Sequence, residues 1–178
     1  MNDSTAVKTL CILRLSALGD ATHVLPLIRT LQRNLPECRI TWILGKGEAK
    51  LMEGLENVEL IAFDKKSGLK GVKQLAQQLA GRRFDVLLQM QLALRANLIS
   101  AVIPANRRIG YDTGRSKEGH GLFINERIAS GKHHVLDVFG LFAEPLGFSQ
   151  TDIRWDIPVS AQDYAWAKAQ WPDGKPTL

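Results

Sequence analysis

The first strong pattern in the chain is four apolar positions in a row, Leu10-Cys11-Ile12-Leu13, closed by Arg14 and Leu15. A run without an alternating polar face fits a strand covered on both sides, here Leu10 to Leu15. The pattern breaks at Ser16 to Asp20. It resumes at helical spacing in Val24, Leu25, Leu27, Ile28 and Leu31, which predicts a helix over Thr22 to Leu35 that Pro36 ends. The same alternation repeats down the chain. Strands are predicted at Arg39 to Leu44, Val58 to Phe63, Phe84 to Gln89, Arg108 to Tyr111 and Ile153 to Ile157. Between them, Gly45 and Gly47 open a short helical piece to Gly54. Leu69 to Ala80 forms an amphipathic helix with Leu69, Val72, Leu75, Ala76 and Leu79 on its apolar face. Leu94 to Ile103 is a helix stopped by Pro104, His134 to Leu146 a helix with Val135 and Val138 inside, and Ala161 to Gln170 a last helix. Thr113 to Gly121, rich in glycine and charge, reads as a long loop. Strands separated by helices imply an α/β fold: a Rossmann-like open parallel sheet with helices on both faces.

Composition narrows the picture a little. The 178 residues are 45% hydrophobic and 23% charged, ordinary for a soluble domain with a real core. The net charge of +5 suits anionic partners without demanding them. No apolar run approaches the ~20 residues of a membrane span. Met1 to Lys8 is polar and lacks a signal-peptide core. Cys11 and Cys38 lie in or beside strands and read as buried free thiols of a reducing compartment, with no zinc-type spacing around them. A cytoplasmic protein is expected. Trp171-Pro172-Asp173-Gly174-Lys175-Pro176 has turn and linker chemistry. Thr177 and Leu178 then read as the start of another strand, so a further domain is expected beyond them.

Several familiar chemistries are missing. No Gly-x-Gly-x-x-Gly follows the first strand, and no P-loop or Gly-x-Ser-x-Gly elbow occurs. No Asp-x-Asp pair offers a metal-bound diphosphate site. What remains is Asp20, next to Gly19, on the turn after the first strand, where open α/β sheets bind ligands. Helix capping explains an aspartate there equally well. Two basic loops accompany it: Asp64 to Lys73, with Lys65 and Lys66, and the stretch from Arg107 and Arg108 through Arg115 and Lys117. Loops after the first, third and fifth strands leave one edge of a parallel sheet, so a carboxylate ringed by cations is expected there. Each lysine taken alone also fits a plain solvated face. His133 and His134, just before a helix, fit either phosphate contact or capping.

Arg14-Leu15-Ser16-Ala17-Leu18-Gly19-Asp20-Ala21-Thr22-His23-Val24-Leu25-Pro26 resembles the opening motif of the lipopolysaccharide heptosyltransferases. The resemblance continues in Ile40 to Leu44, in Phe84 to Leu88 with Gln91, in Arg108 to Asp112 and in Leu122 to Asn125. It implies a GT-B glycosyltransferase of which residues 1–158 are the amino-terminal, acceptor-binding Rossmann-like domain. Residues 159–178 would be a helix and linker towards a carboxy-terminal domain that holds the donor. The implied reaction is an inverting, metal-independent transfer of heptose from ADP-heptose to the lipopolysaccharide inner core, with no cofactor. Asp20 matches the family's proposed base. Ser16, Gly19, His23 and Gln91 match motif positions and, with Lys65, Lys66 and Arg115, are expected to bind the acceptor. The partners implied are the lipopolysaccharide core and a nucleotide sugar, not nucleic acid, and peripheral contact with the inner membrane is allowed. The 178-residue piece alone is expected to be inactive. Two departures stand out. Ala17 replaces a second serine, and Gln89-Met90-Gln91-Leu92 stands where Asp-x-Gln-Gly is common, which leaves the acceptor open. A non-catalytic α/β module binding sugar or phosphate is the alternative. A receiver-like signalling domain would need clustered acids at strand ends, which the chain lacks.

Overall fold

Four consecutive apolar side chains have no outer face to offer water, so Leu10 to Leu13 must lie between two layers. In the computed structural model, which describes residues 7–131, 134–149 and 152–171, they do. Strand β1 (Thr9–Leu13) has no exposed surface from Leu10 onward. It sits inside a sheet with β2 (Arg39–Gly45), β3 (Val58–Phe63), β4 (Phe84–Gln89), β5 (Ala105–Gly110) and β6 (Glu126–Arg127). The order is β3-β2-β1-β4-β5-β6, and each pairing is parallel. Cys11 pairs with Thr41 on one side and Leu87 on the other, which fixes the register of the centre.

The two faces of β1 feed two cores. Leu10 and Ile12 meet α1 (Leu18–Thr22) and α2 (Leu25–Asn34) through Ala21, Leu25 and Ile28. After α3 (Lys46–Leu51), Cys11 and Leu13 pack with Leu75 of α4 (Gly68–Gln78) and with Ala96 and Ile99 of α5 (Leu94–Ala101). A short α6 (Val135–Gly140) closes the first face, with Phe139 and the following Phe142 buried. This is the doubly wound order, with its reversal between β1 and β4. Both cysteines are free. Burial pushes the Cys11 thiol up, and burial and then Asp85 push half-buried Cys38 up to about 11.

Several elements differ from their sequence pattern. The first helix is two, α1 and α2, with His23 between them and Pro26 in the first turn of the second, where a missing N–H costs nothing. The helix expected over His134 to Leu146 stops at Gly140 and tightens into a 3-10 turn over Leu141–Leu146, which contains Pro145. Leu69 and Val135 are exposed, because each lies in a first turn, before its helix has reached the sheet. Ile153 to Ile157 is not a strand. It crosses α2 instead, tied by Asp152 N–H to Thr30 Oγ1 at 3.3 Å and by the Arg29–Asp156 ion pair at 2.9 Å. The expected division at residue 158 precedes α7 (Ala161–Gln170), none of whose side chains is buried. Residues 172–178, with most of the expected linker, and His133 lie outside the described residues.

Candidate active site

The crevice beside the β1–β4 reversal is filled by the Arg14–Asp20 loop. Arg14 ends the buried strand, and its guanidinium donates to the Met90 carbonyl after β4 and to the Asp20 carboxylate. The guanidinium lies 5.2 Å from the centre of the Phe139 ring, a cation–π arrangement. Asp20 occupies the third position of α1 rather than the cap. From there it reaches back to accept the Ala17 N–H at 3.2 Å, one half of a capping box. The capping role is therefore real. Yet Asp20 keeps about a third of its side chain exposed (35%), while Arg14 is nearly covered (11%), so the pair presents its carboxylate to solvent.

The loop is held from β4. Gln91 Oε1 accepts the N–H of Leu15 at 2.8 Å and of Ser16 at 3.1 Å, and its amide lies 3.4 Å from Ser16 Oγ. Tyr111, at the end of β5, donates its hydroxyl to the Met90 carbonyl at 3.1 Å. Burial pushes that hydroxyl up to about 12, against the lowering pull of Arg14, so it stays a donor. Gly19 faces open space, and its carbonyl takes Thr22 Oγ1 at 2.6 Å and His23 Nδ1 at 2.7 Å. The His23 ring stands edge-on to Trp155 and Phe139, with centres 5.8 and 6.5 Å apart. Ser16, Gly19, Asp20, His23 and Gln91 thus lie together in this loop, the start of the helices after it and its β4 support.

The basic loops leave the same sheet edge, but their charges are unequal. Lys65 Nζ is 2.9 Å from Oε1 of buried Glu48. Arg115 binds Asp112 and the Gly131 carbonyl. Burial alone would raise the Asp112 carboxyl, but Arg115 and the Gly114 N–H outweigh it and hold it low. Lys66 is exposed, and its ammonium makes no hydrogen bond or ion pair among the described residues. His134 accepts the Leu136 N–H at 3.4 Å, so it caps α6. A cavity of about 880 Å³ opens at the opposite, amino-terminal edge of the sheet, between Cys38, Glu59 and Arg82, away from this chemistry. Among the described residues no three His, Cys, Asp or Glu side chains cluster as a metal site.

Sequence reasoning missed Arg14, Tyr111 and Phe139 as parts of the site. The one signal was Arg14 itself, a charge at the end of a fully buried strand.

The fold and the crevice define a doubly wound, Rossmann-like α/β unit of the GT-B type with an ion-paired carboxylate at its switch point. The chain belongs to glycosyltransferase family 9, the heptosyltransferases, whose family model matches residues 72–178. It is 45% identical over 163 residues to a lipopolysaccharide core heptosyltransferase of Haemophilus influenzae, covering 91% of this chain and 47% of that protein. It is 23% identical over 177 residues to lipopolysaccharide heptosyltransferase 1 of Escherichia coli K12, covering 86% of this chain and 56% of that one. Among solved structures, a family 9 glycosyltransferase from Veillonella parvula superposes with a TM-score of 0.80 over 96% of this chain and 50% of that one, at 21% identity. An Escherichia coli heptosyltransferase solved with ADP superposes with a TM-score of 0.72 over 89% of this chain and 53% of that one, at 22% identity. The chain spans about half the length of the curated relatives it matches.

Proposed function

We propose that this chain is the acceptor-receiving unit of an inverting, metal-independent glycosyltransferase that moves heptose from ADP-heptose to the lipopolysaccharide inner core. The observation that carries the reading is the placement of Asp20. It is a part-exposed carboxylate at the strand-order reversal, held by Arg14 and the Ala17 N–H. There it can take the proton of an acceptor hydroxyl while that oxygen bonds to the anomeric carbon. ADP leaves from the opposite face with the electrons of the broken C1–O bond, which inverts the centre. Arg14 fixes the carboxylate and lends charge to the crevice. His23, Ser16 and Gly19 line the approach, Gln91 positions the loop, and Lys66 offers a cation to an anionic acceptor, with Lys65 and Arg115 behind it. The relatives' names support the sugar, and one solved relative is described with ADP-2-deoxy-2-fluoro heptose. In this reading residues 1–158 receive the acceptor, a second unit holds the donor, no cofactor is used, and the work is done on the cytoplasmic face of the inner membrane.

The test is Asp20→Asn in the whole protein that carries this chain, with ADP-heptose and truncated core acceptors. Turnover should fall about 10²–10⁴-fold. Folding should be kept, since the amide still offers an oxygen to Ala17 N–H. Near-normal turnover would remove Asp20 from the reaction. Calorimetry on the 178-residue chain should show weak binding of core acceptor and none of ADP-heptose.

A further inference from the structure

One indole beside the Asp20 loop is held firmly and still left partly in water. Trp155 is 43% exposed, and its ring stands edge-on to His23 with centres 5.8 Å apart. Phe139 meets the same imidazole, but it is 2% exposed and belongs to the core. A single exposed apolar ring is common on any surface. Trp155 is set apart by its anchoring and its neighbour. The segment that carries it is fastened on both sides of the ring. Asp152 N–H donates to Thr30 Oγ1 at 3.3 Å, and Arg29 grips Asp156 with Nε at 3.0 Å and Nη2 at 2.9 Å. Ile157 N–H donates to the Trp155 carbonyl at 2.9 Å, and its side chain packs on the core. The indole is therefore a fixed surface, and little freedom is lost when a ligand lies on it. Its neighbour supplies a polar group. His23 Nδ1 lies 2.7 Å from the Gly19 carbonyl, which can only accept, so Nδ1 carries a proton. His23 Nε2 makes no hydrogen bond among the described residues. Gly19 precedes Asp20, so one imidazole links the indole to the loop that carries the carboxylate.

We infer that Trp155 and His23 form a saccharide subsite beside Asp20. One pyranose ring of the acceptor lays its C–H face on the indole, and a hydroxyl of that ring bonds His23 Nε2. A pyranose has an apolar C–H face and a rim of hydroxyls. Its C–H hydrogens are slightly positive and the face of an indole is slightly negative, so stacking adds attraction to the burial of area. A polar group at a fixed place then selects the orientation of the ring. A phosphate gains nothing from an indole, so this subsite reads the sugar and leaves anionic groups to the lysines. The inference deepens the proposed function and rests on it for assigning the ring to the acceptor; the contact chemistry requires only a pyranose.

The experiment is fluorine NMR of the 178-residue chain with its four tryptophans labelled as 5-fluorotryptophan, titrated with deacylated inner-core oligosaccharide. The Trp155 signal, assigned by its loss in Trp155→Phe, should move on titration, while that of buried Trp42 stays. Calorimetry should show Trp155→Ala binding the oligosaccharide about tenfold more weakly, and Trp155→Phe, which keeps an aromatic face, at most about threefold. In the whole protein Trp155→Ala should raise the acceptor KM by the same factor with kcat within about twofold of native. The circular dichroism spectrum should be unchanged, since Asp152, Asp156 and Ile157 still hold the segment. Absence of oligosaccharide binding by the native chain, a Trp155 signal that does not move when the oligosaccharide binds, or native affinity in Trp155→Ala overturns the inference. The last two outcomes leave the Asp20 reading standing. A Trp155 signal that moves, in a protein that transfers no heptose, keeps the subsite and removes the proposed reaction.

Discussion

Replacing Gln91 by leucine tests how the Asp20 loop is held. Gln91 Oε1 accepts two backbone donors, Leu15 N–H at 2.8 Å and Ser16 N–H at 3.1 Å, both in part-buried surroundings. Leucine has nearly the same volume but strands both donors. An unpaired buried donor costs about 1–3 kcal/mol. Water can reach part of this loop, so the lower half of that range applies to each, and a loss of about 2–4 kcal/mol is expected in all. For a chain of this size that lowers Tm by roughly 4–16 °C. Gln91→Glu keeps an acceptor for both donors and should recover most of the loss. The assays are thermal melts of the three proteins and amide exchange by NMR. In Gln91→Leu the amides of Leu15 and Ser16 should lose protection while Ile12, inside the sheet, keeps it. A leucine variant with native Tm, or with native protection at Leu15 and Ser16, would refute the reasoning.

Two further outcomes are expected. Burial and then the charge of Arg127 push the imidazole of His120 below its ordinary value, while its Nε2 accepts the Tyr111 N–H at 3.1 Å. The unfolded chain then binds a proton that the folded one refuses. Stability therefore rises with pH up to about 6.5, the unfolded value, and is level above it, with a slope of at most about 1.4 kcal/mol per pH unit. Urea melts across that window should show the slope in the native chain and a flatter one in His120→Gln; equal slopes would exclude His120 as its source. Lys65→Ala leaves buried Glu48 without its cation and should cost about 1–2 kcal/mol in a urea melt, whereas Lys66→Ala should stay within about 0.5 kcal/mol of native. Equal losses would mean that the two lysines have the same surroundings.

Legibility followed how local the cause was. Val58–Phe63, Phe84–Gln89 and Ala161–Gln170 coincide with their sequence patterns, because each is a short run set off by local signals, the helix by its Ser160 cap. The place of Asp20 was legible because a Gly-Asp turn after a buried strand lies at the ligand edge of an open sheet, although capping explains an aspartate there equally well, and the structure shows the capping contact. Its pairing with Arg14, six residues earlier, was not, since a side chain reaching across a loop has no period. The same holds for Lys65 and Arg115. Their counterparts, Glu48 and Asp112, appear in the sequence only as polar interruptions, yet both are buried and bind the cations that seemed free for a ligand. Ile153 to Ile157 has the composition of a strand, but Arg29 binds Asp156 within it, Thr30 binds Asp152 just before it, and together they lay it on a helix. Leu69 keeps the spacing of a core position and still faces water, because periodicity tells which side a residue is on but not whether anything covers it there.

The anchors of the Asp20 loop arrive late in the chain. Gln91 follows Leu15 by 76 residues, and Met90, whose carbonyl meets Arg14 and Tyr111, follows Arg14 by the same number. The first half of the sheet needs neither. Strands β1, β2 and β3 are neighbours in space in the order in which they leave the ribosome, and their crossovers are short, so they can pair at little entropic cost. What they form, however, is a half-sheet with the most apolar strand of the protein as its open edge, the kind of edge that recruits foreign strands. Docking of β4 along Leu10 to Leu13 closes that edge, and the residues just past β4 then fasten the loop. In a growing chain, protection from aggregation and assembly of the crevice therefore come in a single pairing event, and no stage exists in which the site is built while the edge still lies open.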